Sequence, residues 1–207
     1  MATRVAERLK SGILRGEYVP GQPLREIELC TTLGTSRVPV REALHLLAGE
    51  GLVELRPNRG AFVTSPSKNE LDEIADVCHK LEPHLLSLAV PLLRPEQIAR
   101  ASVVLDDLDH IDDPFEWTRG NWKFHLVLYE AAERPLTVEM LTSLRARVDR
   151  AALLLVSEKK RRMLLNHEHR AILAAAQSGR TTLAAALLGA HLKSARDEVV
   201  RLMEKKG

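Results

Sequence analysis

Apolar positions follow one set of spacings before about residue 66 and another after it. Val5, Leu9, Ile13 and Leu14 recur at helical intervals over residues 2–15 and stop at Gly16, which predicts a first helix. "VPGQPL" then breaks the chain with two prolines and a glycine. "REIELCTTLG" predicts a short second helix carrying Ile27, Leu29 and Leu33 inward and closed by Gly34. Thr35 or Ser36 caps a third helix, whose inward face is Val40, Ala43, Leu44 and Leu47. Two short extended runs follow, "LVELR" and "AFVTS", joined by "PNRG", the pattern of a hairpin with an Asn/Gly-type turn.

"TSPSKNE", residues 64–70, reads as a linker that ends in a helix start. Beyond it every segment has helical period, and six amphipathic helices are predicted: 68–90, 95–110, 114–132, 135–157, 161–178 and 181–205. Leu71, Ile74, Cys78, Leu81, Leu85 and Leu88 form the first stripe, and Leu141, Leu144, Val148, Ala151 and Leu155 the fourth. The last stripe runs Ala184, Leu187, Leu188, His191, Ala195 and Val199. Short loops with prolines at helix starts make this an antiparallel helical bundle. The chain is therefore expected to be mainly α, with domains at residues 1–66 and 67–207.

Composition adds limits. Aromatics are only 3% of the chain, so Leu, Ala, Val and Ile must build the core. The two cysteines, Cys30 and Cys78, lie far apart, and "MATRVAERLK" is no signal peptide, which points to a reducing cytoplasm. The longest apolar runs, "LLSLAVPLL" and "AALLLV", fall well short of the roughly 20 residues that a membrane span needs. Residues 1–66 hold nine Lys/Arg against seven Asp/Glu, while the remainder is balanced at 21 each. That excess is too small to establish a nucleic-acid partner, so position has to make the case.

Helix, helix, tight turn, helix, hairpin is the order of a winged helix-turn-helix, whose second motif helix puts its N-terminal residues into the DNA major groove. Arg37 and Arg41 fall there, opposite Leu44 and Leu47. An arginine fork matches the O6/N7 edge of guanine. Ser36 at the helix start suits a phosphate, and Arg59 with Gly60 at the hairpin tip can meet the minor groove or backbone. On an arbitrary helix these arginines would be solvated or paired with Glu42 and Glu50. The five-element order favours DNA.

Three histidines interrupt apolar stripes of the bundle. His169 follows Leu165 and precedes Ile172, His191 lies on the last stripe, and His125 stands four residues after Asn121. Converging, they could hold one transition-metal ion; separately, each would be a hydrogen-bonded core residue. Periodicity alone leaves both open. His167 points roughly 200° away from His169. His79 and His84 fall on the flanks of their stripe, His45 and His110 read as exposed, and Trp117 and Trp122 as packing residues. A three-histidine ion also serves hydrolases, but "HExxH" is lacking and Glu168 is expected to point away from the site. A hydrolase-like or purely structural metal domain thus stands as the alternative reading.

The first part resembles the DNA-binding domain of GntR-type bacterial transcription regulators. "G-x-x-x-P-G-x-x-L", "S-R-x-P-V-R-E-A-L-x-x-L" and "N-R-G-A-x-V" all match, with Cys30 where an alanine is more usual. The second part is similar to the FCD effector-binding domain of the FadR branch, through "ELDEIADVCHKLEP", "NWKFHLVLYEAAERP", "NHEHRAILAAAQSGR" and "GAHLKSARDEV". The resemblance implies a non-enzymatic, ligand-responsive homodimer on a palindromic operator, repression being the commoner mode. It also implies a divalent metal on Asn121, His125, His169 and His191 that helps to bind a small organic acid. Asn121 stands where relatives have aspartate, and Cys78 where an arginine clamps the effector's carboxylate. A histidine-rich, carboxylate-free site suits Zn or Ni better than Mn.

Overall fold

The structure, a computed structural model, describes residues 1–64 and 67–204, without the side chains of Arg150 and Leu154. The predicted break at residue 66 lies outside the described residues. Two compact units are present: one gathers the chain up to Ser67 together with Ser143–Arg150, the other the remaining helical residues.

In the first unit, α1 (Ala2–Arg15) packs on α3 (Arg37–Gly49), and α2 (Glu26–Leu33) lies against α3. Leu9, Ile13, Val40, Ala43 and Leu47 lose all contact with solvent at that junction. Removing such side chains from water is the main driving force for packing amphipathic helices. The turn between α2 and α3 depends on Gly34, whose φ of 59° is left-handed and lets the Thr35 amide reach back to Cys30 O at 3.1 Å. Ile27, expected inward, is 65% exposed instead. Leu29 is the one buried residue of α2, and Ile27, two positions before it, is turned roughly 200° away from it on the helix.

Strands β2 (Val53–Arg56) and β3 (Gly60–Val63) form the predicted hairpin, in register from Val53 against Val63 to Arg56 against Gly60. Asn58 and Gly60 adopt positive φ at its tip (59° and 89°). A third strand, β1 (Pro23–Leu24), pairs antiparallel with β3 and gives the order β1-β3-β2. The sequence reading missed it because two residues inside a proline-broken loop carry no periodicity.

The second unit is all-helical: α4 (Lys68–Ala89), α5 (Pro95–His110), α6 (Pro114–Tyr129), most of α7 (Pro135–Leu155), α8 (Lys159–Gln177) and α9 (Thr181–Glu204). Short 3-10 turns, Val90–Leu92 and Glu130–Ala132, follow α4 and α6. Helices α5, α6 and α7 begin with proline, where the missing N–H costs nothing. Asp113 caps α6 by accepting from the amides of Phe115 (2.8 Å) and Glu116 (3.3 Å). Helix α4 packs on α9, α8 on α9 and α5, and α5 on α6. Leu85, Leu86, Leu105, Phe124, Leu128, Ile172 and Leu188 make the dry centre. On α4 the buried stripe differs from expectation. Leu81 and Leu88 are only half-buried, while Glu82 is fully enclosed. No helix among the described residues is long and apolar enough to cross a membrane.

Candidate nucleic-acid interface and candidate metal centre

Helix α3 turns Val40, Ala43, Leu44 and Leu47 inward, and so leaves Arg37, Val38 and Arg41 exposed on its first two turns. The two arginines lie one turn apart. Arg37 stands in water, but Arg41 is held. Its Nε donates to Glu26 Oε1 and its Nη2 to Glu26 Oε2, both at 3.0 Å, a side-on bidentate pair reaching from α3 to the first turn of α2. The hydrogen bonds from Arg41 pull the Glu26 carboxyl below its ordinary pKa, and the positive fields of Arg41 and Arg37 add to them. The carboxylate that Arg41 meets is therefore neither Glu42 nor Glu50, the two that the alternative reading offered. Glu50, one of those, accepts from Lys10 of α1 at 2.6 Å.

Ser36 takes the N-cap position of α3 with extended backbone, yet its hydroxyl makes no capping bond. Arg59 and Gly60 sit exposed at the hairpin tip, where the Arg59 amide donates to Arg56 O at 3.0 Å. Between hairpin and α3 runs a groove of about 670 Å³ lined by Arg25, Glu26, Arg41, His45, Arg56 and Arg59 among others. Sequence reasoning had not singled out Arg25 and Arg56. Arg56 belongs to a strand edge, where it pairs with Glu54 at 2.8 Å and lays its guanidinium 4.5 Å from the centre of the Phe62 ring. Only the folded hairpin brings it to the arginines of α3.

The bundle does the opposite with its polar residues. His125 of α6, His169 of α8 and His191 of α9 are 1%, 0% and 7% exposed, and each offers one ring nitrogen within 4.8 Å of the other two. His169 Nε2 and His191 Nε2 are 3.2 Å apart. Asn121 is buried one turn before His125, and its Oδ1 has no hydrogen-bond partner among the described residues. A buried oxygen without a donor is costly. The fit to a cation is good. Two imidazoles on one tetrahedral ion at roughly 2.0–2.1 Å stand about 3.3 Å apart, close to the spacing here. The four side chains are neutral N and O donors, a set that Zn²⁺ or Ni²⁺ accepts.

Further residues close around the histidines. The Tyr129 hydroxyl, one turn after His125, lies 2.7 Å from Glu82 Oε2 and 3.5 Å from His125 Nδ1. His191 Nδ1 lies 2.7 Å from Glu168 Oε2, so Glu168 backs the site it was expected to point away from. Helix geometry does turn Glu168 off the face of His169, but it faces the neighbouring helix α9, where His191 stands. Trp117 stacks on His169 with ring centres 6.3 Å apart and the planes at 25°. Cys78 is buried on α4, and its sulfur is not part of the three-histidine group. His167, His79, His84, His45 and His110 are exposed.

A winged helix-turn-helix joined to an all-helical unit with a buried polar cluster is the make-up of a DNA-binding transcription regulator. The family model described as bacterial regulatory proteins, gntR family, matches residues 1–63, and the FCD domain model matches residues 73–194, more than half of the chain. The chain belongs to the GntR family of bacterial transcription regulators, in the group that carries an FCD domain. The HTH-type transcriptional regulator McbR of Escherichia coli strain K12 is 29% identical over 151 residues, 72% of this chain and 68% of its own length. The HTH-type transcriptional repressor RspR of the same strain is 29% identical over 154 residues, 69% of this chain and 64% of its own. The chain thus spans about two thirds of the length of these relatives. The solved structure of E. coli McbR/YncC superposes with a TM-score of 0.83 over 100% of this chain and 98% of that one, at 24% identity, which establishes the likeness of fold. These relatives are transcription regulators, and the hydrolase alternative finds no support among them.

Proposed function

We propose that the chain is a ligand-responsive repressor whose domain at residues 1–66 reads a palindromic operator and whose domain at 67–207 dimerises and binds a small organic acid at a divalent-metal site. The convergence of His125, His169 and His191 on one buried point carries this reading, together with the partnerless Oδ1 of Asn121, buried one turn before His125. When bound, the ion would supply positive charge that attracts an acidic ligand. Asn121, His125, His169 and His191 would hold it, Zn²⁺ or Ni²⁺ ahead of Mn²⁺. Cys78, buried on α4, brings no charge with which to clamp a carboxylate, so the ion would carry that task.

At the other end, Arg37 and Arg41 read base edges, Ser36 and the start of α3 meet a phosphate, and Arg59 with Gly60 follow the flanking groove. Arg41 spends Nε and Nη2 on Glu26, which leaves the Nη1 hydrogens for a guanine edge. A single winged head covers a short footprint, and two heads on a homodimer match a palindrome. Effector occupancy would shift the balance between head spacings that fit the operator and those that do not. The repressor title of RspR supports repression as the mode. The reading places the protein in the cytoplasm.

Native mass spectrometry of the full chain tests the reading. A dimer carrying one Zn²⁺ or Ni²⁺ per chain, releasing a small acid on denaturation, is the expected result. A metal-free monomer after dialysis against either ion rejects it.

A further inference from the structure

We propose that Glu168, and Glu82 acting through Tyr129, are positioning residues for the ion site: they orient two of its imidazoles from behind and supply negative charge that the ligands themselves lack. The inference rests on the metal reading above.

The four proposed ligands are three imidazoles and a carboxamide, all neutral, and all at least nine-tenths buried. Before an acidic ligand arrives, a divalent cation placed among them would bring charge into the interior with nothing in direct contact to balance it, an unfavourable state unless carboxylates stand close behind. Two do. Glu168 Oε2 lies 2.7 Å from His191 Nδ1. A carboxylate only accepts, so the ring proton sits on Nδ1 and the lone pair of a neutral His191 is on Nε2. That Nε2 is the atom facing His169 Nε2 at 3.2 Å.

The second arm is longer. Tyr129 OH donates to Glu82 Oε2 at 2.7 Å, which leaves its oxygen to accept from His125 Nδ1 at 3.5 Å. Again the proton is drawn to the outer nitrogen. Glu82 itself is 0% exposed, forms no ion pair among the described residues, and has an Oε1 with no hydrogen-bond partner among them. Among the described residues no cationic side chain matches this enclosed acid, and a neighbouring metal ion would offset that cost. Distances rank the two arms. A 2.7 Å charged contact orients strongly, whereas 3.5 Å is near the limit of a hydrogen bond. Glu168 is therefore the stronger of the two.

The test is the affinity of the full-length protein for Zn²⁺ and Ni²⁺, measured by competition with a chromophoric chelator, together with the visible absorption of the Co²⁺-loaded form. Glu168→Ala should weaken binding by roughly 10- to 100-fold, the range found for partners behind metal-bound histidines. It should also shift the Co²⁺ bands while the melting temperature of the chelator-treated protein stays within a degree or two. Glu168→Gln keeps an acceptor and removes the charge, so its loss should be smaller than that of Glu168→Ala but still measurable. Tyr129→Phe and Glu82→Gln should each cost less than Glu168→Ala. If Glu168→Ala does not fold, Glu168→Gln decides. Binding within twofold of wild type in Glu168→Ala, or in Glu168→Gln if that variant has to serve, overturns the inference and leaves the metal site standing. Wild-type protein that binds neither ion overturns both.

Discussion

The arginines of α3 and the histidines of the bundle are both polar groups on amphipathic helices, yet the two units treat them in opposite ways. Arg37 and Arg59 stand in water, where a charge is cheap and its position is loosely held. Their value lies in the partner they can meet. His125, His169 and His191 are enclosed, and an enclosed polar group must be matched inside the protein or by something that enters it. Exposure therefore says little about function in the head, while burial says much in the bundle. In the head the informative detail is the exception to looseness, the fork by which Glu26 grips Arg41. In the bundle it is the shortfall, the Asn121 oxygen and the Glu82 oxygen that lack donors among the described residues.

The sharpest way to break this contrast is at the DNA head. Replacing Arg37 and Arg41 together by alanine should weaken binding to a selected operator on the order of 10²- to 10⁴-fold and flatten base preference at the contacted positions, as read by fluorescence anisotropy on an operator library. Because both side chains are exposed, the melting temperature of the free protein should hardly move. Undiminished operator affinity would mean that α3 is not the reading helix.

Next comes the bundle, where the same kind of truncation should act on stability through the proposed ion. At 100-fold excess of Zn²⁺ or Ni²⁺ over its Kd, the wild-type folded state gains about 2.7 kcal/mol by mass action, visible as a rise in melting temperature that a chelator reverses. His169→Ala should lose that response. Asn121→Asp should enlarge it, since a carboxylate adds charge to an otherwise neutral ligand set. A scanning-fluorimetry trace of wild type that ignores both metal and chelator would leave the histidines as a hydrogen-bonded polar core.

A smaller effect separates reading from anchoring within the head. Arg59→Ala should lower affinity for all sequences alike and reduce the slope of log K against log salt by about 1 if the hairpin tip meets a phosphate. A change of base preference without a change of slope would put Arg59 among the reading residues.

The smallest effect is the titration of Glu26. Its folded pKa is held below the ordinary value by the Arg41 hydrogen bonds, so the pair is intact above the unfolded carboxylate pKa and is lost as pH falls through the lowered folded one. Carbon-detected NMR of the full chain should place that midpoint below the ordinary glutamate range, and Arg41→Ala should bring it back. An unshifted midpoint in wild type would mean that the fork does not persist in solution.

Much of this was legible in the chain itself, because helical period is a local property. The four apolar positions of α3, the ends of α1 and α2 at Gly16 and Gly34, the hairpin, and the proline-started helices all follow from neighbours within a few residues. The same logic marks His125, His169 and His191 as inward, since each interrupts an apolar stripe. What periodicity cannot register is a partner from another element. Strand β1 exists only because β3 offers it a ladder. That the histidines meet, that Arg41 chooses Glu26 across 15 residues, and that Glu82 and Glu168 stand behind rings 43 and 23 residues away are matters of packing between helices. Spacing along one helix sets the direction in which a side chain points. What it points at is decided by the crossing of helices far apart in the chain, which no local pattern encodes.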